Sequence, residues 1–260
     1  MKVLMIGDIV GQPGRKALKG ILEKTIREYG IDFVIANGEN AAGGNGLTYA
    51  VAQELFDYGI NVITMGNHTW DKREILSFID SDNRILRPLN YPSGTPGKGW
   101  GIYELTNGEK IGVINILGRV FMNSYPDCPF KTVQEIIHIM NKETINIIID
   151  FHGEATSEKN AFGFFVDGLV SAVFGTHTHV QTNDAKILPQ GTAYITDVGM
   201  CGPLNSVLGL DPEIIIERFT TQMPVKHKLA DGPLQFNATL VEINEINGMT
   251  KDIKNFFLLI

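Results

Sequence analysis

Cysteine is nearly absent: Cys128 and Cys201 stand far apart and outside any CxxC spacing, which excludes a disulfide framework and a thiolate zinc site. The expected setting is therefore the reducing cytoplasm. No apolar run approaches the length of a membrane span, and the opening run, broken at Asp8, is too short for a cleaved signal peptide. Basic residues are also in deficit, 22 Lys and Arg against 29 Asp and Glu, for a formal charge of -7. That balance argues against strong binding to duplex nucleic acid or to an anionic membrane, since both need clustered cations. A small anionic substrate stays compatible if metal ions bring the positive charge. With 260 residues, 43% hydrophobic, no repeat and no low-complexity segment, one domain spanning 1–260 is the expectation.

Short β-branched runs alternate with helical stretches, which predicts an α/β fold with largely buried strands. Strands are expected at 2–7, Phe33–Ala36 and Val62–Met65, and helices at 14–29, 48–58 and 71–79. Pro13 suits the start of the first helix and Gly30 its end. The Pro- and Gly-rich stretch 84–99 predicts a long surface loop able to wall a pocket. Asn107-Gly108 between Gly101–Leu105 and Lys110–Leu117 signals a hairpin, so antiparallel pairing enters there. Val133, Ile136, Ile137 and Met140 share one face of a helix over 132–142. Further strands are expected at 145–151, 169–175 and 192–196, and an antiparallel pair, Ala238–Ile243 with Lys254–Ile260, closes the chain.

Apolar strand after apolar strand ends in a side chain able to bind metal. VLMIGD ends in Asp8, VIANGEN runs into Glu39 and Asn40, VITMGNH into Asn67 and His68, INIIIDFH ends at His152, and VSAVFGTHTH carries His177 and His179. In open α/β sheets ligands collect outside the carboxyl ends of strands, so five such endings are able to converge on one crevice. An extended 177–179 segment sends His177 and His179 to the same side. Oxygen and imidazole donors without thiolate suit manganese, iron or zinc. So many donors fit two ions better than one, with Glu39 able to bridge them, which is the arrangement for phosphoester hydrolysis by an attacking hydroxide.

Other features read more plainly. His138, inside the 132–142 helix, and His227, in the charged VKHK segment, are structural or solvated. The glycines of AAGGNG at 41–46 lack the GK[ST] ending of a phosphate-cradling P-loop and predict a flexible loop beside the site. Gly7, Gly11 and Gly14 miss the GxGxxG spacing of a dinucleotide site. Asp150, two residues before His152, is a candidate for orienting a ligand or else a buried structural carboxylate. Asp197 is a further candidate near the pocket, and Cys201 a small packing residue.

MIGDIVGQPGR, NGENAAGGNGL, MGNHTWD, DFHGEATSEK, FGTHTHVQT and TDVGMCGP follow one another along nearly the whole chain. In that order they resemble the calcineurin-like metallophosphoesterases, and within them the YmdB-like bacterial branch. The wider family has DxH at its first motif and GDxxD at its second; this chain has Asp8-Ile9-Val10 and Gly38-Glu39-Asn40, as the YmdB-like branch does. The departure removes one histidine ligand and makes the bridging carboxylate a glutamate. The resemblance implies a four-layer α-β-β-α sandwich of two mixed sheets flanked by helices. It also implies two divalent ions, iron or manganese with zinc as a further option. By the same resemblance Asp8, Glu39 and His179 bind the first, Glu39, Asn67, His152 and His177 bind the second, and Asn40 touches the first ion or the substrate. His68 then stabilises the phosphoryl group or protonates the leaving oxygen. The implied substrates are phosphodiesters, cyclic nucleotides and 2′,3′-cyclic ones among them.

Two rival classes stand beside this reading. One is a regulatory protein with a structural metal site, meeting a protein or RNA partner through loops such as 84–99 and 121–130. The other is an amide-cleaving metallohydrolase, which demands an early HxH and a uniform βα barrel; here the pair falls late and hairpins interrupt the alternation. A homo-oligomer is compatible with either enzyme reading.

Overall fold

The computed structural model describes all 260 residues. In chain order the elements are β1 (Lys2–Ile6), β2 (Asp8–Ile9), α1 (Gly11–Tyr29), β3 (Phe33–Asn37), α2 (Tyr49–Asp57), β4 (Val62–Thr64) and β5 (Ile85–Leu86). There follow β6 (Trp100–Glu104), β7 (Lys110–Leu117), α3 (Pro129–Met140), β8 (Ile147–His152), α4 (Thr156–Phe165) and β9 (Ala172–Thr176). The chain ends with β10 (Lys186–Ile187), β11 (Ala193–Ile195), β12 (Met200–Pro203), α5 (Pro212–Thr221), β13 (Leu234–Ile243) and β14 (Thr250–Leu259).

Two mixed sheets form. In the first, β1, β3, β4 and β5 run parallel, while β13 pairs antiparallel to β1, β12 and β14. In the second, β7, β8, β9 and β11 run parallel, with β6 and β10 antiparallel at its edges.

The alternation of side chains along each strand builds the layers. In β1, Val3 and Met5 point to a core between the sheets, where Ile35, Ile148, Phe174 and Ile195 also lie. Leu4 and Ile6 point the other way, onto Leu18, Leu22, Ala52 and Leu55 of α1 and α2. The outer face of the second sheet buries Ile114, Ile149 and Phe151 against Val133, Ile137 and Phe162 of α3 and α4. Strands buried on both faces explain the near-continuous apolar runs. The result is the four-layer sandwich. No helix is long and apolar enough to cross a membrane.

Several expectations need correction. The first helix begins at Gly11, not 14; Gly11 has φ 57°, and a Cβ there would lie 2.4 Å from Leu229. In place of a helix over 71–79 there is a 3₁₀ turn, Arg73–Ser77. Hydroxyl-to-carbonyl bonds from Ser77 to Glu74 and from Ser81 to Phe78 satisfy backbone acceptors that an α-helix would use. The 84–99 stretch is only partly surface loop: β5 joins the sheet, and the amide of Asn90, 1% exposed, bonds Leu117 in both directions. It lines a cavity of about 450 Å³ with Trp100 and Tyr103, away from the histidines. Helices α4 and α5 and the short strands β2, β10 and β12 have no counterpart among the elements expected from the sequence.

Candidate functional site

The donors meet where the carboxyl ends of both sheets come together, so the crevice lies between two sheets and not along one. Asp8 opens β2 just after β1; Glu39 and Asn67 follow the ends of β3 and β4; His152 ends β8 and His177 follows β9. Close approach demands small residues. A Cβ on Gly66, beside Asn67, would sit 2.4 Å from both Glu39 Oε2 and His152 Nε2, so only glycine leaves that cradle open.

His152 Nε2 lies 2.9 Å from Glu39 Oε1, 3.1 Å from Asn67 Oδ1 and 3.0 Å from His177 Nδ1. One ring nitrogen carries at most one hydrogen and cannot satisfy three lone-pair partners, whereas a cation among them can. Glu39, His152 and His177 form a group whose ligand atoms all lie within 4.8 Å of one another. A second cluster adjoins it: Asn40 Nδ2 is 3.4 Å from Asp8 Oδ1, 3.5 Å from Glu39 Oε1 and 3.2 Å from His179 Nε2, and His179 Nε2 is 3.6 Å from Asp8.

The other face of each ring is fixed by the fold. The Thr176 hydroxyl donates to Asp150 Oδ1 at 2.6 Å, so at 2.9 Å from His152 Nδ1 it accepts the ring hydrogen and leaves Nε2 with its lone pair for a metal. Asn37 Nδ2 also approaches Nδ1, at 3.2 Å, but the hydroxyl contact is shorter and better matched. Thr64 holds the second oxygen of Asp150. Asp150 therefore stays off the cavity and acts on His152 through Thr176. His179 Nδ1 donates to the carbonyl of Leu208 at 3.1 Å, which again turns Nε2 inward.

His177 and His179 do not lie on an extended strand, as the sequence suggested. Both adopt left-handed backbone, φ 100° and 64°, beyond the end of β9. Such conformations are costly for residues with a Cβ and persist only where the surroundings impose them. Asp197 imposes them here: its Oδ2 accepts the Thr178 N–H at 3.0 Å and pairs with Lys159 Nζ at 2.8 Å, while Lys159 also donates to the Thr176 carbonyl at 2.7 Å. Lys159 and Asp197 are 1% and 0% exposed. Asp8 Oδ2 adds a bond from the His177 N–H.

The cavity of about 750 Å³ over these donors is lined by Glu39, Asp71, Glu154 and four histidines, His68, His177, His179 and His227, and by no Lys or Arg. An anionic ligand therefore finds no side-chain cation except imidazolium. Burial acts to raise the pKa values of Asp8 and Glu39, but neighbouring His179 and His152 outweigh it and hold both carboxyls low. Burial likewise opposes charge on His152, but Glu39 prevails and raises it to about 9. His177 goes the other way, to about 3, through burial and the adjacent His152 charge. The two buried carboxylates thus draw positive charge onto the imidazoles of His152 and His179; divalent ions fit that demand and would displace those protons.

His68 stands at the rim, its Nδ1 2.8 Å from Asp71 Oδ2, and Asn45 donates to the same oxygen at 3.0 Å. The glycine-rich 41–46 segment forms turns that line the cavity with Gly43 and Gly44. His138 is solvent-exposed on α3. His227 is exposed, as expected, and also lines the mouth of the cavity. Cys201 is buried, and burial pushes its thiol up to about 12, which leaves it no nucleophile. The sequence reading missed Asp71, Thr176, Lys159, Glu154 and the Leu208 carbonyl. Only Asp71 had a local signal, three residues after His68 in MGNHTWD.

Comparison with known proteins agrees with this architecture. The profile of the YmdB-like protein family matches residues 4–256. A 2′,3′-cyclic-nucleotide 2′-phosphodiesterase of Bacillus subtilis (strain 168) is 51% identical over 245 residues, covering 94% of this chain and 92% of that one. The crystal structure of a novel phosphatase from Mycoplasma pneumoniae superposes with TM-score 0.93 at 36% identity, over 100% of this chain and 93% of that one. A hypothetical protein from Thermus thermophilus gives TM-score 0.92 at 40% identity, over 100% and 99%.

Proposed function

The chain belongs to the YmdB-like protein family and is a phosphoesterase, and from that premise we propose that it hydrolyses phosphodiesters, 2′,3′-cyclic nucleotides among them, with two divalent ions. Supporting the reading above all is the cavity itself, which offers converging oxygen and imidazole donors and no Lys or Arg. Glu39, Asn67, His152 and His177 would hold one ion and Asp8, Glu39 and His179 the other, with Asn40 touching that ion or the substrate. Manganese or iron suits this donor set, and zinc is the alternative. When bound, such ions neutralise phosphoryl oxygens and activate water for in-line attack.

The chain's own groups do the rest. Thr176 and the Leu208 carbonyl occupy the Nδ1 atoms of His152 and His179 and leave their Nε2 atoms free as ligands. Asp71 holds His68 by Nδ1, so that Nε2 is the ring nitrogen left for the substrate, and the doubly protonated ring would pass its Nε2 proton to the leaving alkoxide oxygen and be left neutral, with Nδ1–H still on Asp71. The full span 1–260 works as one cytoplasmic unit on small diesters.

The test is turnover of 2′,3′-cyclic AMP beside a simple phosphomonoester, by wild type and Asn67→Ala, after chelation and after manganese is restored. Diesterase activity that returns with manganese in the wild type alone is the expected result. Wild type that turns over neither substrate, while binding manganese tightly, would reject the proposal in favour of a regulatory metal-binding protein.

A further inference from the structure

The cavity is far larger and less polar than a phosphate requires. Its volume of about 750 Å³ lies within the range of roughly 300–1,000 Å³ that accommodates an organic ligand. Glu39, Asn40, His177 and His179 bring donors to its lining. An apolar wall adjoins them, built from Val10 and four residues of the segment that carries α5: Leu208, Leu210, Val225 and Leu229. His227 lies among these, on the same wall.

That wall is braced. Leu210 and Leu229 form an antiparallel bridge, Asp211 N donates to Lys228 O at 2.9 Å, and Ala230 N donates to Gly209 O at 3.0 Å. The two legs on either side of α5 are therefore zipped together at their base. Leu229 packs against the chain at Gly11 and Gly44, where an added Cβ would come within 2.4 Å and 3.2 Å of it. Leu208, left-handed at φ 53°, hands its carbonyl to His179, which ties the wall to the donor set through a single hydrogen bond. On the outer side Arg218 of α5 donates to His227 Nε2 at 3.2 Å, leaving Nδ1 to carry the ring hydrogen.

We propose that this wall is the base subsite: the nucleobase of a cyclic nucleotide lies against Val225 and Leu210 with the His227 ring as its stacking partner, while the cyclic phosphate faces the donors. The proposal rests on the phosphodiesterase reading above and deepens it. Stacking on a ring tolerates any base, because each has a π-face, so the wall selects nucleotides over base-free diesters without demanding one sequence letter. No charged side chain lines this apolar side, which suits a neutral heterocycle and leaves the anion to the ions.

The experiment compares kcat/KM on 2′,3′-cyclic AMP with kcat/KM on glycerol 1,2-cyclic phosphate, which carries the reacting group and no base. Wild type is expected to prefer the nucleotide. In His227→Ala and in Val225→Ser that preference falls roughly five- to tenfold, the low end of what a stacked base contributes, and His227→Phe restores it by returning a ring face. Equal preference in wild type and both variants would overturn the subsite. Calorimetric binding of adenosine 3′-monophosphate against inorganic phosphate, with manganese present, separates base recognition from turnover. If the enzyme turns over neither diester, the reaction reading fails, yet the subsite still predicts tighter binding of the nucleotide that weakens in His227→Ala; equal binding of nucleotide and phosphate rejects it.

Discussion

The donors divide into two kinds. Asp8 and His152 lie within strands, Glu39 sits two residues past one, and all three are 0–1% exposed, fixed by the ladders and by the packing beneath them. His177 and His179 sit on a left-handed turn that no ladder supports, and their placement depends on Asp197, Lys159 and the Leu208 carbonyl, all distant in sequence. The first kind follows from strand pairing alone. The second is built by tertiary hydrogen bonds spent on an unfavourable backbone, so its geometry is separable from the sheet that precedes it.

Substitution within the strand-borne half should have the largest effect. Glu39→Gln or His152→Ala is expected to cut kcat/KM on a cyclic diester by well over the roughly 10- to 100-fold that loss of a group supporting a ligand brings. Initial-rate kinetics decide this, and a variant within tenfold of wild type would break the comparison at its firmest side. Next comes the support of the turn. Lys159→Met leaves the carboxylate of Asp197 buried without its partner, and urea unfolding should show a loss of about 3–5 kcal/mol. The double variant Lys159→Met with Asp197→Asn is expected to recover most of that stability but not the activity, because the Thr178 N–H then faces an altered partner.

A smaller effect is expected from Thr176→Val, which keeps the shape and removes the hydroxyl between His152 and Asp150. Manganese affinity, read by calorimetry, should weaken roughly tenfold or more; unchanged affinity would mean that His152 needs no such anchor. The smallest effect is none at all. Cys201 on β12 pairs beside β2, next to Asp8, and burial holds its thiol at about 12. Thiol titration of the native enzyme at pH 8 should therefore find Cys128 alone, with Cys201 appearing only in denaturant. Rapid labelling of both would show that the strand-borne half opens readily.

This division also governs what the sequence made legible. Asp8, Glu39, Asn67 and His152 were readable because an apolar run that stops at a polar residue marks the end of a buried strand. Strand ends are also where ligands collect in α/β folds. The spacing of His177 and His179 pointed to a shared site by the wrong route, through an extended strand, since local sequence carries no sign of a left-handed turn imposed from Asp197. Lys159 read as an ordinary helix lysine and is 1% exposed. The apolar wall was invisible for a similar reason. Leu208, Val225 and His227 belong to segments with no period of their own, which become a wall only when Leu210 meets Leu229.

The two ions proposed here would share Glu39 between the strand-borne and turn-borne donors. Anomalous X-ray diffraction from crystals grown with manganese tests it directly. Two peaks flanking the Glu39 carboxylate are predicted, one beside Asp8 and His179 and the other among Asn67, His152 and His177. A single peak, or peaks away from Glu39, would contradict the shared site.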